Sequence, residues 1–347
     1  MIDNDASVLL IYTGGTIGMM ENKDTGLLEA FDFKHLKENI PEFAKLKFTI
    51  DSIGFDPPID SSDMDLDGWR KIVKIIQDNY NRYDGFVILH GTDTMAYTAS
   101  ALSFMLENTD KPVILTGSQL PIGKVRTDGK ENLITALEIA VDKDPNGNPL
   151  VPEVCIFFQN DLMRGNRTTK ANAENFSAFK SFNYPILAKA GVHIKYEPHL
   201  IIRPRIRKAP CFHYLLDPNV VILKIFPNIS PDMVKAILSI PNLKGVVLET
   251  YGAGNAPNLE WFLQAVKDAV DRGIVMVNVT QCVSGSVEQG RYQSGKILLD
   301  AGVVSGYDST TEAAVTKLMF LLGHGMDASQ VKEHMKCSLV GEIDIPA

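Results

Sequence analysis

Short, almost wholly apolar runs that stop at glycine recur along this chain. Ser7-Val8-Leu9-Leu10-Ile11-Tyr12, Gly85-Phe86-Val87-Ile88-Leu89, Pro112-Val113-Ile114-Leu115 and Val154-Cys155-Ile156-Phe157-Phe158 show no alternation of apolar and polar positions. Runs of this length and kind predict strands buried on both faces, as in a parallel sheet covered by helices. Between them the apolar spacing changes to that of helices. Trp69, Ile72, Val73 and Ile76 mark one from about Leu66, and Ala96, Ala99, Leu102 and Leu106 mark another. Asp63, or one of the serines before it, is the expected cap of the first helix.

The pattern loosens from His199 to Pro218, with prolines at 198, 204, 210 and 218 around the basic stretch Arg203 to Lys208. Lost periodicity with spaced prolines predicts a linker, with the basic stretch as an exposed edge strand. The expected organisation is an amino-terminal domain over 1–200, a linker over 201–218 and a carboxy-terminal domain over 219–347. Alternation resumes with strands at Val220 to Phe226, Gly245 to Glu249 and Ile274 to Val279. Helices are expected at Pro231 to Ser239, Leu259 to Asp271 and Thr311 to Leu322, with a short tail after the last. Strands alternating with helices predict two α/β domains, each built on a parallel sheet.

The strand ends carry the chemistry. The first run breaks into Thr13-Gly14-Gly15-Thr16, the second into His90-Gly91-Thr92-Asp93, and the third into Thr116-Gly117-Ser118. Asp60-Ser61-Ser62-Asp63 supplies more hydroxyls and carboxylates than capping needs. Asn160 to Lys170 is too polar and basic for a core, so Arg164 and Arg167 are expected on a solvated face. Lys170 matters if the fold brings it near Asp93. Alone, each residue has an ordinary explanation: Asp93 would cap a helix, and His90 would pack at a strand end. Delivery of Thr16, Asp60, Ser61, Thr92, Asp93, Ser118 and Lys170 to one sheet edge points instead to an α/β ligand site. Neither a Walker loop nor a dinucleotide-binding glycine fingerprint is present. What remains is a threonine hydroxyl as nucleophile, with an adjacent lysine as base and glycine-turn amides as oxyanion donors, in a cofactor-free acyl-transfer hydrolase.

Composition narrows the partners. With 45% apolar and 22% charged residues the chain reads as an ordinary globular protein, and a net charge of −8 argues against a nucleic-acid binder. No apolar run approaches the length of a membrane span, and the acidic start lacks the features of a secretory leader. Cys155, Cys211, Cys282 and Cys337 are widely scattered, so neither a disulfide framework nor a metal site is expected. These features together predict a cytoplasmic protein.

Tyr12-Thr13-Gly14-Gly15-Thr16-Ile17-Gly18-Met19 and His90-Gly91-Thr92-Asp93-Thr94-Met95-Ala96-Tyr97-Thr98-Ala99 resemble the two signatures of the bacterial asparaginases. The second, with Asp60 to Met64, Arg164 to Lys170 and Tyr251-Gly252-Ala253-Gly254-Asn255-Ala256-Pro257, resembles the type I, cytoplasmic branch. The resemblance runs nearly end to end. It implies a larger flavodoxin-like amino-terminal domain, a smaller carboxy-terminal α/β domain, and hydrolysis of L-asparagine to L-aspartate and ammonia without a cofactor. Thr16 would be the nucleophile, with Thr92, Asp93 and Lys170 as a second catalytic group. Asp60, Ser61, Ser62, Gly91, Thr92, Asp93 and Ser118 would hold the substrate. A homodimer or homotetramer is implied, with Asn255 reaching a neighbouring subunit's site.

Two departures from the family stand out. The family's lid carries a tyrosine just after a glycine, where this chain has Leu27 and Leu28 after Gly26. Some type I enzymes also bind asparagine at a regulatory site, which would fall here on Thr169, Glu249, Thr280, Gln281 and Cys282. Glu249 stands where they have arginine, and a carboxylate cannot hold the ligand's α-carboxylate as a guanidinium does. Hyperbolic kinetics are therefore expected. The alternatives are a related amidase (a glutaminase or a glutamine-dependent amidotransferase subunit) and a catalytically silent amino-acid sensor.

Overall fold

The computed structural model describes residues 5–21, 28–30, 40–203, 208–290 and 293–345. Gly26 and Leu27 of the expected lid, and residues 204–207 of the basic stretch, lie outside the described residues. The chain divides into two units, Met1–Tyr214 and Leu215–Ala347.

The first unit is built on strands β1 (Ser7–Tyr12), β2 (Thr49–Gly54), β3 (Gly85–Leu89), β4 (Val113–Thr116), β5 (Val154–Phe158) and β6 (Asp161–Arg164), with two-residue strands β7 (Ala188–Lys189) and β8 (Lys195–Tyr196). They form one sheet in the order β8-β7-β6-β5-β4-β3-β1-β2. Pairing is parallel from β2 to β5 and antiparallel from β5 to β8. The residues of β1, β3, β4 and β5 are buried throughout, Ser7 excepted, as their unbroken apolar runs require. Helices α1 (Leu66–Asn79), α2 (Met95–Met105) and α3 (Gly129–Val141) connect them. Helix α1 buries the stripe Trp69, Ile72, Val73 and Ile76, whereas α2 is buried almost all round.

The second unit is a four-stranded parallel sheet, β9 (Val220–Lys224), β10 (Gly245–Thr250), β11 (Val275–Thr280) and β12 (Val304–Ser305), in chain order. Its helices are α4 (Pro231–Leu238), α5 (Glu260–Asp271), α6 (Gln293–Asp300), α7 (Thr311–Gly323) and α8 (Ala328–Met335). The two-domain α/β expectation holds, with an antiparallel extension of the first sheet that the apolar runs did not announce.

Three local expectations need correction. The cap of α1 is Asp65, whose carboxylate accepts from Gly68 N at 2.8 Å; neither Asp63 nor a serine caps it. The short tail contains α8, with a capping box between Asp327 and Gln330. Arg164 and Arg167 are not on a solvated face, being only 2% and 1% exposed. Arg164 makes a two-pronged ion pair with Glu153 (2.6 and 3.3 Å), and both guanidiniums lie over the Tyr184 ring. Burial of a guanidinium is tolerable when its donors are paired in this way.

Candidate active site

Register sets the geometry of the site. Tyr12 lies opposite Leu89, and Leu89 opposite Thr116, so β1, β3 and β4 end level. The order β2-β1-β3-β4-β5 reverses direction at β1 and β3, the crevice where flavodoxin-like sheets hold ligands. Thr13 N donates to Leu89 O and His90 N to Thr116 O, each at 3.0 Å, which carries the alignment one residue into the turns.

The turns then pack backbone against backbone. Gly15 has φ +91°, and a Cβ there would stand 2.5 Å from Gly91 N and Cα. A Cβ on Gly14 would overlap the Ile59 carbonyl, and one on Gly91 would overlap Ser61 Oγ. Glycine is required at 14 and 15 for want of space as well as for its backbone freedom, and at 91 for want of space alone. Gly129, at the start of α3, fits between Ile17 and Ser118. Thr94 Oγ1 donates to Ser61 O at 2.6 Å. Thr16, Asp60, Ser61, Ser62, Gly91, Thr92, Asp93 and Ser118 thus stand on four segments in mutual contact.

Asp93 does not cap α2. The cap position is Thr94, and Asp93 Oδ1 instead accepts from Lys170 Nζ at 2.6 Å. The same ammonium donates to Thr92 Oγ1 at 2.8 Å. Lys170 is 19% exposed and Asp93 65%, so the pair opens to solvent on the carboxylate side. The Asp60 carboxylate accepts from Ser62 N at 2.9 Å and Ser62 Oγ at 2.8 Å. These bonds, the backbone one foremost, hold its carboxyl below the usual range and keep a negative charge at the crevice. The Ser118 hydroxyl donates to Leu120 O at 2.5 Å, which fixes it within its own turn while its oxygen can still accept.

Sequence reasoning missed several supporting residues. Gln119 accepts from Thr92 Oγ1 at 3.4 Å and donates to Ala173 O and Asn175 O. Asp128 accepts from the main-chain amides of Gln119 and Leu120, and Asn132 bridges Gly117 O to Gln159 N. Tyr12 donates to Gly18 O at 3.2 Å beneath the first turn, and burial pushes its phenol up to about 12. Gln119 directly follows Ser118 in the third strand-end turn, a signal present in the sequence, whereas the others come together only in the fold.

His90 is a packed histidine. The Trp69 indole N–H donates to Thr98 Oγ1 at 2.9 Å, so the Thr98 hydroxyl gives its proton to His90 Nε2, and His90 Nδ1–H donates to Gly91 O. All three groups are satisfied only with a neutral ring. Burial pushes its pKa down to about 4. Below the ordinary value of about 6.5 the unfolded chain takes up a proton that the folded one refuses. Stability should therefore fall as pH drops from about 6.5 to about 4, by roughly 3 kcal/mol at most from this group. Denaturant midpoints of wild type and His90→Gln should converge across that window; a constant gap would show that His90 does not titrate there.

The remaining expected positions are placed as follows. Thr169 pairs with Lys180 in a two-residue ladder of the first unit. In the second unit, Asn255 closes a tight turn with Tyr251, N to O at 2.8 Å. Glu249 accepts from Thr311 Oγ1 at 2.7 Å and lies 3.3 Å from Lys224 Nζ. Thr280 Oγ1 donates to Gly252 O and accepts from Cys282 N, while Gln281 Nε2 donates to Ile225 O and Glu249 O.

Among known proteins, the family model described as "Asparaginase, N-terminal" matches residues 7–201, and "Glutaminase/Asparaginase C-terminal domain" matches 219–335. The chain is 45% identical over 349 residues to L-asparaginase 1 of Escherichia coli K12, covering 97% of this chain and 98% of that protein. The crystal structure of L-asparaginase I from Vibrio cholerae superposes with a TM-score of 0.89 at 41% identity, covering 98% of this chain and all of that one. The thermostable L-asparaginase from Thermococcus kodakarensis gives 0.88 at 35% identity over 98% of this chain and 100% of that one. Family-model matches over both halves and end-to-end relatives well above 30% identity establish that the chain belongs to the asparaginase family.

Proposed function

We propose that the chain hydrolyses L-asparagine to L-aspartate and ammonia through an acyl-enzyme on Thr16. The observation that carries the reading is the Lys170 ammonium bridging Thr92 Oγ1 and Asp93 Oδ1 at the β1/β3 crevice. Thr16 Oγ attacks the side-chain amide carbon and ammonia leaves with a proton from the site. Water then cleaves the ester, releasing aspartate and restoring the hydroxyl. Thr92 and Lys170 stand within proton-transfer distance of each other, the requirement for a relay. Asp60 and Asp93 suit the substrate's ammonium, and Ser61, Ser62, Gly91, Thr92 and Ser118 suit its carboxylate and amide. Asn255 completing a neighbour's site in a homodimer or homotetramer belongs to the same reading, as does a cytoplasmic location. Among the described residues no helix is long and apolar enough to cross a membrane.

Initial rates of ammonia release over a range of L-asparagine, with L-glutamine alongside, test the proposal. Asparagine should be preferred, since one methylene in a fitted pocket is worth about 1–3 kcal/mol. No turnover on either amide would sink the enzyme reading, and preference for glutamine would move it to a glutaminase. The curve in asparagine should be hyperbolic. Glu249 already faces Lys224 and Thr311, and its charge repels a ligand carboxylate; clear sigmoidicity would reject this part alone.

A further inference from the structure

The fold assembles a ligand set that the spacing of cysteines and histidines along the chain did not reveal. Leu106–Glu107 and Cys211–Phe212 form a two-stranded antiparallel ladder in which Cys211 lies directly opposite Glu107. Directly opposed residues project to the same face, and so does the residue two further along a strand, here His213. The ladder continues to that residue, since His213 N donates to Met105 O at 2.8 Å. One thiol, one imidazole and one carboxylate therefore converge, with a ligand atom from each within 4.8 Å of the other two. His213 Nε2 is 2.9 Å from Glu107 Oε2. In a tetrahedral zinc site with bonds of about 2.0–2.3 Å, ligand atoms stand roughly 3.3–3.8 Å apart. The present spacings, 2.9 Å between His213 and Glu107 and none above 4.8 Å, bracket that range, and the side chains have room at the surface, His213 being 20% and Glu107 52% exposed.

We propose that Glu107, Cys211 and His213 bind one borderline-soft divalent cation of the zinc class, with water completing the tetrahedron. A histidine beside a glutamate is by itself an ordinary surface pair. Cys211 opposite Glu107 adds the soft donor that selects zinc-like ions over magnesium or calcium. Thiolate and carboxylate neutralise the 2+ charge, and the thiol proton passes to solvent on binding. The consequence lies in what the site joins. Glu107 follows the end of α2, the helix that starts just after Thr92 and Asp93, and Cys211 and His213 lie at the end of the first unit. A bound ion pins this last segment to α2 and leaves the proposed catalytic groups untouched.

Metal-free, reduced full-length protein titrated with Co²⁺ and then Zn²⁺ tests this. One equivalent of cobalt should give an intense near-ultraviolet thiolate-to-metal band that zinc displaces. C211S should abolish the band, and H213N and E107Q should each weaken binding at least about tenfold. C282S and C337S, which remove the other exposed thiols, should leave it unchanged. Zinc should raise the thermal midpoint of wild type by roughly 2 °C or more, and not that of C211S. Absence of the band, its survival in C211S, or unchanged affinity in both H213N and E107Q (a lone-thiol adduct) would overturn the proposal.

Discussion

Thr16→Val should abolish ammonia release from asparagine, by about 10⁴-fold or more, while the protein stays folded. The first turn is held by its main chain, with Gly18 N donating to Gly15 O at 3.2 Å and Met19 N to Thr16 O. Valine has the shape of threonine without the hydroxyl, so only the chemistry is removed. Lys170→Met removes the group that joins Thr92 to Asp93 and should cost about 10²–10⁴-fold in kcat, the usual range for a proton-transfer group. Circular dichroism and the thermal midpoint of both variants should match wild type. If Thr16→Val keeps its turnover and Thr92→Val loses it, the nucleophile is Thr92 and the roles exchange. Loss in both variants, with binding of L-aspartate retained, fits two groups acting in sequence.

The largest effect on stability should come from a residue far from that chemistry in the chain. Lys317, on α7, is 1% exposed and forms a 2.6 Å ion pair with Glu342, which is wholly buried. The ammonium also donates to Cys337 O at 2.5 Å, and the carboxylate accepts from Leu339 N and Val340 N. Burial pulls the lysine below its ordinary range, against the opposing pull of Glu342. Lys317→Met strands a carboxylate out of water, and breaking a buried pair from one side costs about 3–5 kcal/mol. Glu342→Gln in the same chain should recover part of that loss, because the uncompensated charge is gone. Denaturant titrations of wild type, the single variant and the double variant measure both terms. A loss under about 1 kcal/mol in the single variant would mean that water reaches the pair.

How much of this was legible from the sequence depended on how far apart the cooperating residues lie. The apolar runs at Val8, Phe86 and Val154 show the central strands because burial on both faces leaves a local signature. Thr16, Thr92 and Asp93 were visible because glycine turns follow those strands directly. Arg164 and Arg167 misled because a guanidinium is buried only by grace of its partners. Glu153 and the Tyr184 ring that shelter them come from other segments. The antiparallel strand β6 was hidden for the same reason, being short and charged. Nothing in the sequence marked Lys317 as buried, since its counterion Glu342 lies 25 residues on. Helix α8 was missed because its pattern is mostly polar, although Asp327 and Gln330 carry its capping signal.

The contact of Gly14 with Ile59 and of Gly15 with Gly91 bears on how this protein can be re-engineered. Where main chain rests on main chain, there is no side chain to trim or enlarge, so those walls of the crevice have fixed dimensions. A library aimed at a longer amide should leave positions 14, 15 and 91 alone. It should vary the flanks instead: Ser62, whose hydroxyl adds to its own amide as a donor to the Asp60 carboxylate, and Gln119, which ties Thr92 to the 173–175 loop. Selectivity is then adjustable only from the rim, and the glycine floor is the datum from which any new pocket must be measured.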